Sequence, residues 1–382
     1  MYSVADFGWM IRDKVRTDAY ARALKSAITP GCTVLDLGAG TGIFSLLACQ
    51  FGAGKVYAIE PNDSLMLART FARDNGYADR IEFFQELSTN VSLKHKADVL
   101  IADLHGILPF NNGSIQSMID ARERLLAPGA CLIPLKDTLH AAVYSSAVSY
   151  RAIENPWLKN DYGLNLKAGA RFAYNRWNQR GQEDASILTD TQCWGEIDYR
   201  SVSQCDLSGQ VRLIVQTAGT AHGISVWFDA ELAQGIGFSN APEAEQLVYG
   251  GVQFPWPRPV ELNAEDEVSI RLAARRGVSK YLWRWQTEIF RSGSANRPSE
   301  SFNQSSFHGE LVTPQLLSRT SEDFIPTLSE DGKLEALVIG LMDGTRSNRV
   351  IAEEVHRQFP HRFPELTDAL ARVLKLSRHL TA

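Results

Sequence analysis

Hydrophobic and polar positions change their period twice along the chain. From residue 16 to about 148, stretches with apolar residues every three or four positions alternate with short unbroken apolar runs. RTDAYARALKSAI has helical spacing, CTVLDLGAG is a buried strand running into glycines, GIFSLLACQFG is helical, and KVYAIEPN is a second strand. The series continues with SLMLARTFARDNG as helix, RIEFFQ and ADVLIAD as strands, SIQSMIDARERLLAPG as helix and ACLIPLKDTLHAAVYS as strand. Apolar strands separated by amphipathic helices predict a parallel sheet covered on both faces.

From about Tyr150 the period falls to two. GQVRLIVQTAG, GISVWFDAEL, EQLVYGGVQF, DEVSIRLAARRG and YLWRWQTEIF alternate between turn signals, which predicts an all-β barrel or sandwich. The polar stretch RSGSANRPSESFNQSS reads as a linker. Helical spacing returns in GKLEALVIGLM, NRVIAEEVHRQF and ELTDALARVLKLSRHL. The expected fold is therefore α/β, with a Rossmann-like domain over 1–148, a β-barrel domain over 149–305 and a small helical, winged-helix-like domain over 306–382.

Composition narrows the class without changing this layout. A chain of 382 residues with 44% hydrophobic and 22% charged residues is ordinary globular material, too long for one core. No apolar run is long enough to span a bilayer, and the first residues are charged rather than built as a signal peptide, so a cytoplasmic location without membrane contact is expected. Five scattered cysteines with no CxxC pair argue against a disulfide framework or zinc site and read as small buried residues. A net charge of −5 lacks the footprint of a nucleic-acid binder.

The candidate chemistry begins at VLDLGAGTG, which puts Asp36, Gly38, Ala39, Gly40 and Gly42 where a strand turns into a helix. Glycines there allow a tight turn and a close approach to a ligand. The spacing lacks a third glycine suited to a pyrophosphate, and no lysine follows to make a phosphate-binding loop. The second strand ends in Glu60 and Pro61, with the acid placed to accept from ribose hydroxyls. A ligand with ribose and adenine but no phosphate fits, which points to S-adenosyl-L-methionine.

MIRDKVRTDAY, VLDLGAGTGIFSLLACQFGAGKVYAIE, ARERLLAPGACLIP and AHGISVWFDAEL, in this order, resemble the protein arginine methyltransferases over residues 2–290. The resemblance implies a class I methyltransferase domain preceded by short helices and followed by a barrel, paired as a head-to-tail homodimer. It implies that Arg16 binds the carboxylate of the cofactor, that Gly38 and its loop lie along the methionine chain, that Glu60 holds the ribose, and that Met10 packs near the sulfonium. Glu86 and Leu87 fall where the family contacts adenine. An arginine facing a carboxylate forms a bidentate charge-assisted pair, so the chemistry of Arg16 agrees.

The resemblance fails at the acceptor end. Two glutamates that grip the substrate guanidinium in the family align with Asp103 and Asn112, and a Thr-His-Trp element aligns with Leu247, Val248 and Tyr249. This loss of charge predicts an acceptor less cationic than arginine: a nitrogen or oxygen of a peptide or small natural-product molecule. Asn112, Val248 and Tyr249 are the expected substrate contacts. Asp103 is the expected acceptor of the substrate proton, and His105 is either a general base or a side chain packed beneath the loop. Two alternatives stand beside this reading, an arginine or guanidino N-methyltransferase using Asp103 and a degenerate methyltransferase acting as a scaffold. The segment LVIGLMDGTRSNRVIAEEVHRQF resembles PqqD-like peptide-recognition domains and winged-helix tails, which implies binding of a leader peptide. Its arginines bind acidic partners or form a solvated face.

Overall fold

The structure, a computed structural model, describes residues 2–111, 113–179, 185–277, 280–293 and 297–380. They form two compact units, Met1–Leu311 and Val312–Ala382.

The first unit opens with α1 (Val4–Arg12) and α2 (Lys14–Ala27), then β1 (Thr33–Leu37), α3 (Ile43–Phe51), β2 (Lys55–Ile59), α4 (Leu65–Asp74), β3 (Ile81–Phe84), β4 (Ala97–Ala102), α5 (Ser114–Arg124) and β5 (Leu126–Ile133). The five strands make a parallel sheet in the order β3-β2-β1-β4-β5. Val34, Leu35, Val56, Ile59, Leu100 and Ile101 are buried in it, each contributing on the order of 1.5–3 kcal/mol by leaving water. The order reverses between β1 and β4. A doubly wound sheet opens a crevice beyond the carboxyl ends of its strands at such a reversal, and the glycine loop and Asp103 follow β1 and β4 there.

The stretch ACLIPLKDTLHAAVYS, expected as one strand, is two. Only Pro134 and Leu135 separate β5 from β6 (Lys136–Ser145), and β6 belongs to a different, antiparallel sheet. The connection is itself pinned, because Leu135 N donates to Glu231 O at 2.8 Å and Leu135 O accepts from Tyr199 N at 2.9 Å.

Next come α6 (Ala147–Leu158), α7 (Lys167–Ala173), β7 (Asn178–Gln179), β8 (Ser186–Ile187), β9 (Gln192–Asp198), β10 (Leu207–Ile214), β11 (Gly219–Ala233), β12 (Ile236–Ser239), β13 (Val252–Leu262), β14 (Glu267–Arg276), β15 (Tyr281–Phe290) and β16 (Glu300–Ser305). One sheet runs β7-β13-β11-β6-β8, with β12 on β11 and β9 on β6, and a second runs β10-β14-β15-β16. The expected barrel is thus two antiparallel sheets that, among the described residues, do not close into one continuous ladder. Two expectations are corrected. Helices α6 and α7 occupy the start of the region read as all-β, and β16 occupies the stretch read as a linker, pairing with β15 because Phe302 and Gln304 alternate inward. Residues 294–296 of that stretch lie outside the described residues.

Helix α2 lies where the parallel and antiparallel parts meet. Asp13 caps it by accepting from Arg16 N at 3.2 Å. Its Tyr20 is fully buried, with ring centres 4.9 Å from Phe44 and 5.9 Å from Phe238. Cysteines follow the expectation of burial only at Cys32 and Cys49, whereas Cys193 is exposed.

The second unit contains α8 (Pro314–Ser318), α9 (Glu330–Leu341), α10 (Asn348–Gln358) and α11 (Leu366–Leu380). Leu334, Val338, Ile351, Val355, Phe363 and Val373 form its core. Among its described residues there is no strand, so the wing of a winged-helix domain is missing. Its arginines are mostly neutralised, Arg346 by Asp343, Arg349 by Glu353, Arg357 by Glu354, Arg362 by Asp331 and Arg372 by Glu335. No helix among the described residues is long and apolar enough to cross a membrane.

Candidate functional site

A cavity of about 1160 Å³ opens at the strand reversal, above the roughly 300–1,000 Å³ of common ligand clefts. It is walled by the glycine loop, the end of β2, α1, the segment 87–89, the start of α5 and, from the antiparallel part, Tyr249 and Arg276.

The glycine loop is held against β2, with Gly38 N and Ala39 N both donating to Ile59 O at 2.9 and 3.0 Å. Gly38 and Gly40 have φ of 76° and 54°. A side chain at Gly40 would also start 2.9 Å from the Phe7 ring of α1, so the loop requires glycine for both conformation and space. Glu60 is buried and fully oriented: Oε2 accepts from Gly40 N at 3.0 Å, and Oε1 accepts from Asn62 N at 2.9 Å and from Asn62 Nδ2. With two donors on Oε1 and one on Oε2, the remaining acceptor capacity of the carboxylate lies on Oε2, which suits a ribose hydroxyl.

Asp36 and Gly42 stand behind the loop and do not line the cavity. Asp36 is buried, accepts from Ser45 Oγ at 2.6 Å, and is pushed up to about 7 by burial. Gly42 caps α3 and packs on Ala68. Met10, Ala39, Pro61 and Leu87 line the cavity, whereas the exposed Glu86 side chain turns to Leu87 N and Asn90 Nδ2, at 2.9 and 3.0 Å. The bond from the Leu87 amide holds the Glu86 carboxyl below its usual range.

Arg16 is buried in the cavity wall, ion-paired to Asp103 and bonded to Met10 O and, at 3.3 Å, to Thr17 Oγ1. Its Nε has no hydrogen-bond partner. That Nε lies 3.9 Å from Asp13 Oδ2. A buried guanidinium in the wall of a cavity that also offers a fixed carboxylate for hydroxyls fits a ligand with a carboxylate at one end and a ribose at the other. Asp103 also accepts from the Tyr249 hydroxyl, which comes from the antiparallel part, 146 positions away. Burial pushes the Tyr249 phenol up, so it stays protonated as a donor.

His105 is corrected as a candidate base. It is buried behind the wall, with Nδ1 3.1 Å from Tyr20 Oη, Nε2 3.0 Å from Asp137 Oδ1 and its ring stacked 5.0 Å from Phe228. Asp137 is fully buried and accepts from Tyr199 Oη at 2.6 Å. His105 therefore packs under the loop, the second of the two roles expected for it, and Nδ1 lies 4.0 Å from the nearer Asp103 oxygen. Val248 is also displaced from its expected role: it does not line the cavity, and its amide donates to Asp13 Oδ2 at 2.8 Å. Asn112 lies outside the described residues. Sequence reasoning missed Phe7, Asn62, Asp137, Tyr199 and Arg276, of which only Asn62, two residues from Glu60, had a local signal.

Comparison with known proteins agrees with this geometry. Residues 16–134 match the family model for ribosomal protein L11 methyltransferase (PrmA), and residues 137–280 match that for the arginine methyltransferase oligomerization subdomain. The chain is 27% identical over 233 residues to probable protein arginine N-methyltransferase 6 of Arabidopsis thaliana, covering 59% of this chain and 53% of the relative. It is 31% identical over 236 residues to protein arginine N-methyltransferase 2 of Mus musculus, covering 57% and 51%. The chain thus spans about half the length of these relatives. Among solved structures, the Trypanosoma brucei PRMT1 enzyme-prozyme heterotetrameric complex with AdoHcy has a TM-score of 0.71 at 21% identity, covering 78% of this chain and 97% of that one. Arabidopsis thaliana protein arginine methyltransferase 10 has a TM-score of 0.68 at 23% identity, covering 79% and 97%. The chain is thus similar to protein arginine methyltransferases in sequence and fold, with a Rossmann-like parallel sheet followed by the antiparallel β unit.

Proposed function

We propose that the chain is an S-adenosyl-L-methionine-dependent methyltransferase that methylates a nitrogen held at Asp103. The observation that carries this reading is the meeting, in one cavity, of the buried Arg16 guanidinium, Glu60 with both oxygens oriented, and Asp103 at the end of β4. The cofactor supplies an electrophilic sulfonium methyl. Arg16 would hold its carboxylate, Glu60 its ribose hydroxyls, and the segment 87–89 its adenine edge. Asp103, steadied by the Tyr249 hydroxyl, would accept an N–H of the substrate, orient the nitrogen lone pair and receive the proton released as the N–C bond forms. Calorimetry with S-adenosylhomocysteine tests the cofactor site, and transfer of labelled methyl to an acceptor panel tests the activity. If wild-type protein fails to bind S-adenosylhomocysteine, the scaffold alternative takes its place.

The names of the relatives support the guanidino nitrogen of arginine as the acceptor. One observation favours the second reading, a less cationic nitrogen or oxygen of a peptide or small natural-product molecule: both Asp103 oxygens are already engaged, one by Arg16 and one by Tyr249. Parallel assays with an arginine peptide and with counterparts bearing histidine or serine in its place separate the two.

We also infer a homodimer. The match to an oligomerization subdomain supports it, as do the exposed Trp157, Tyr162, Leu164 and Phe172 in the arm around α6 and α7. Light scattering on wild-type protein and on Trp157→Glu with Leu164→Glu tests it. For the second unit, peptide recognition is supported by the exposed Leu328 and Ile339. Leu328→Glu with Ile339→Glu would then slow methylation of peptides but not of small acceptors.

A further inference from the structure

Of the charged side chains lining the cavity, Arg16 is paired with Asp103, and Glu60 and Asp63 stand at the end of β2 beside the glycine loop. Arg276 differs from all of these. It sits at the end of β14, and with Tyr249 it is one of the two cavity-lining residues drawn from the antiparallel part. Its backbone is fixed, since Arg276 N donates to Asp206 Oδ1 at 2.8 Å. Its guanidinium reaches across to α5, where Nη1 donates to Gln116 Oε1 at 3.1 Å and lies 3.8 Å from Cys205 Sγ. Nη2 stands 3.5 Å from where a Cβ on Gly113 would be. Among the described residues no carboxylate pairs with this guanidinium, whose side chain is exposed and lines the cavity.

The opposite wall reinforces the sign of the charge. Helix α5 has 11 residues, and its first turn lines the cavity at Ser114, Gln116 and Ser117, so the positive end of its dipole lies beside the same space as Arg276, although the Ser114 amide is already bonded to Asn111 O at 2.7 Å. The segments suited to the cofactor lie at the glycine loop and the end of β2. The wall that the antiparallel part completes is left for the acceptor.

We propose that Arg276 is a specificity-determining residue that binds a carboxylate on the methyl acceptor, with Gln116 holding the guanidinium in position. The proposal rests on the methyltransferase reading for its choice of ligand. An acceptor of this kind presents its nucleophilic nitrogen to Asp103 and an acidic group, either its own carboxylate or that of a neighbouring side chain, to Arg276. The planar fork of arginine favours a carboxylate over a neutral amide by geometry as well as charge.

The test uses the full chain saturated with S-adenosylhomocysteine for binding, and with labelled S-adenosyl-L-methionine for turnover. Two matched pairs are compared, L-arginine with L-argininamide and 4-aminobutyrate with 4-aminobutyramide. The expected result is that at least one acid binds about tenfold more tightly than its amide, the effect of one charge-assisted hydrogen bond at a partly solvated site. Arg276→Gln brings the ratio close to one, and Arg276→Lys keeps part of it. The Kd for S-adenosylhomocysteine in each variant confirms that the fold survives. A ratio near one in the wild type, a ratio unchanged in Arg276→Gln, or no binding of either acid overturns the proposal. An intact binding ratio without methyl transfer removes the activity and supports the anion site.

Discussion

Asp36 offers a quantitative test of how the glycine loop is built. Its carboxyl is buried against β1 and α3 and accepts from Ser45 Oγ, and burial pushes it from 3.8 to about 7. Below pH 4 the group is protonated in both folded and unfolded chains and leaves stability unaffected. Between pH 4 and 7 the unfolded chain has lost the proton while the folded chain keeps it, so stability falls as pH rises; above 7 both are ionised and the loss is complete. A shift of this size corresponds to about 4 kcal/mol across the window, at 1.36 kcal/mol per unit. Asp36→Asn is nearly isosteric and removes the titration, so its stability relative to wild type should increase by about 3 kcal/mol between pH 4.5 and pH 8, the part of the window that this range spans. At roughly 2 °C per kcal/mol, the difference in melting temperature between variant and wild type should change by about 6 °C over that range. Thermal unfolding of both proteins at matched pH values measures it. If the two profiles run parallel, Asp36 is not held protonated and the account of its burial is wrong.

Arg16→Gln removes the guanidinium expected to meet the cofactor carboxylate and should weaken S-adenosylhomocysteine binding by about 30- to 100-fold in calorimetry, the effect of a bidentate charge-assisted pair; an unchanged Kd would take Arg16 out of the cofactor site. Gly40→Val places a branched side chain at positive φ and against Phe7, and should abolish detectable binding while lowering unfolding stability by about 1–3 kcal/mol. Asp137→Asn deprives His105 and Tyr199 of their carboxylate and should cost about 2–3 kcal/mol in chemical denaturation. A loss under about 0.5 kcal/mol, the scatter typical of surface changes, would mean that the cluster does not brace the loop.

The cofactor half of the site was legible because its determinants are local. One strand, three glycines and an acid at the end of the next strand lie within 25 residues of sequence, Asp36 to Glu60, and the apolar runs that bury β1, β2 and β4 carry an unmistakable period. The acceptor half was not, because it is assembled over long separations. His105 looks like a rim base in ADLHG, and only the arrival of Asp137 from the other sheet and Tyr20 from α2 turns it inward. Arg276 is one of several arginines on an alternating strand until β14 delivers it to α5. The missed helix α6 buries only Tyr150 and contains Pro156, so its apolar positions make no strong helical stripe. The missed strand β16 is polar in composition and betrays itself only by alternation over six residues.

The two-residue join between β5 and β6 has a mechanical consequence. Pro134 and Leu135 do not swing, because Leu135 is bonded on both sides into the antiparallel sheet. The two halves that meet there are thereby pinned at their join, whereas α1, which walls the cavity, has none of its residues buried. It also bears on engineering. A chimera spliced at residue 135 would inherit the cofactor loop from one parent and Tyr249 and Arg276 from the other, and it would hold together only if Glu231 and Tyr199 came with the second parent's backbone in register. Exchange of acceptor preference between related chains should therefore succeed for a whole antiparallel half and fail for any shorter graft that leaves this seam unmatched.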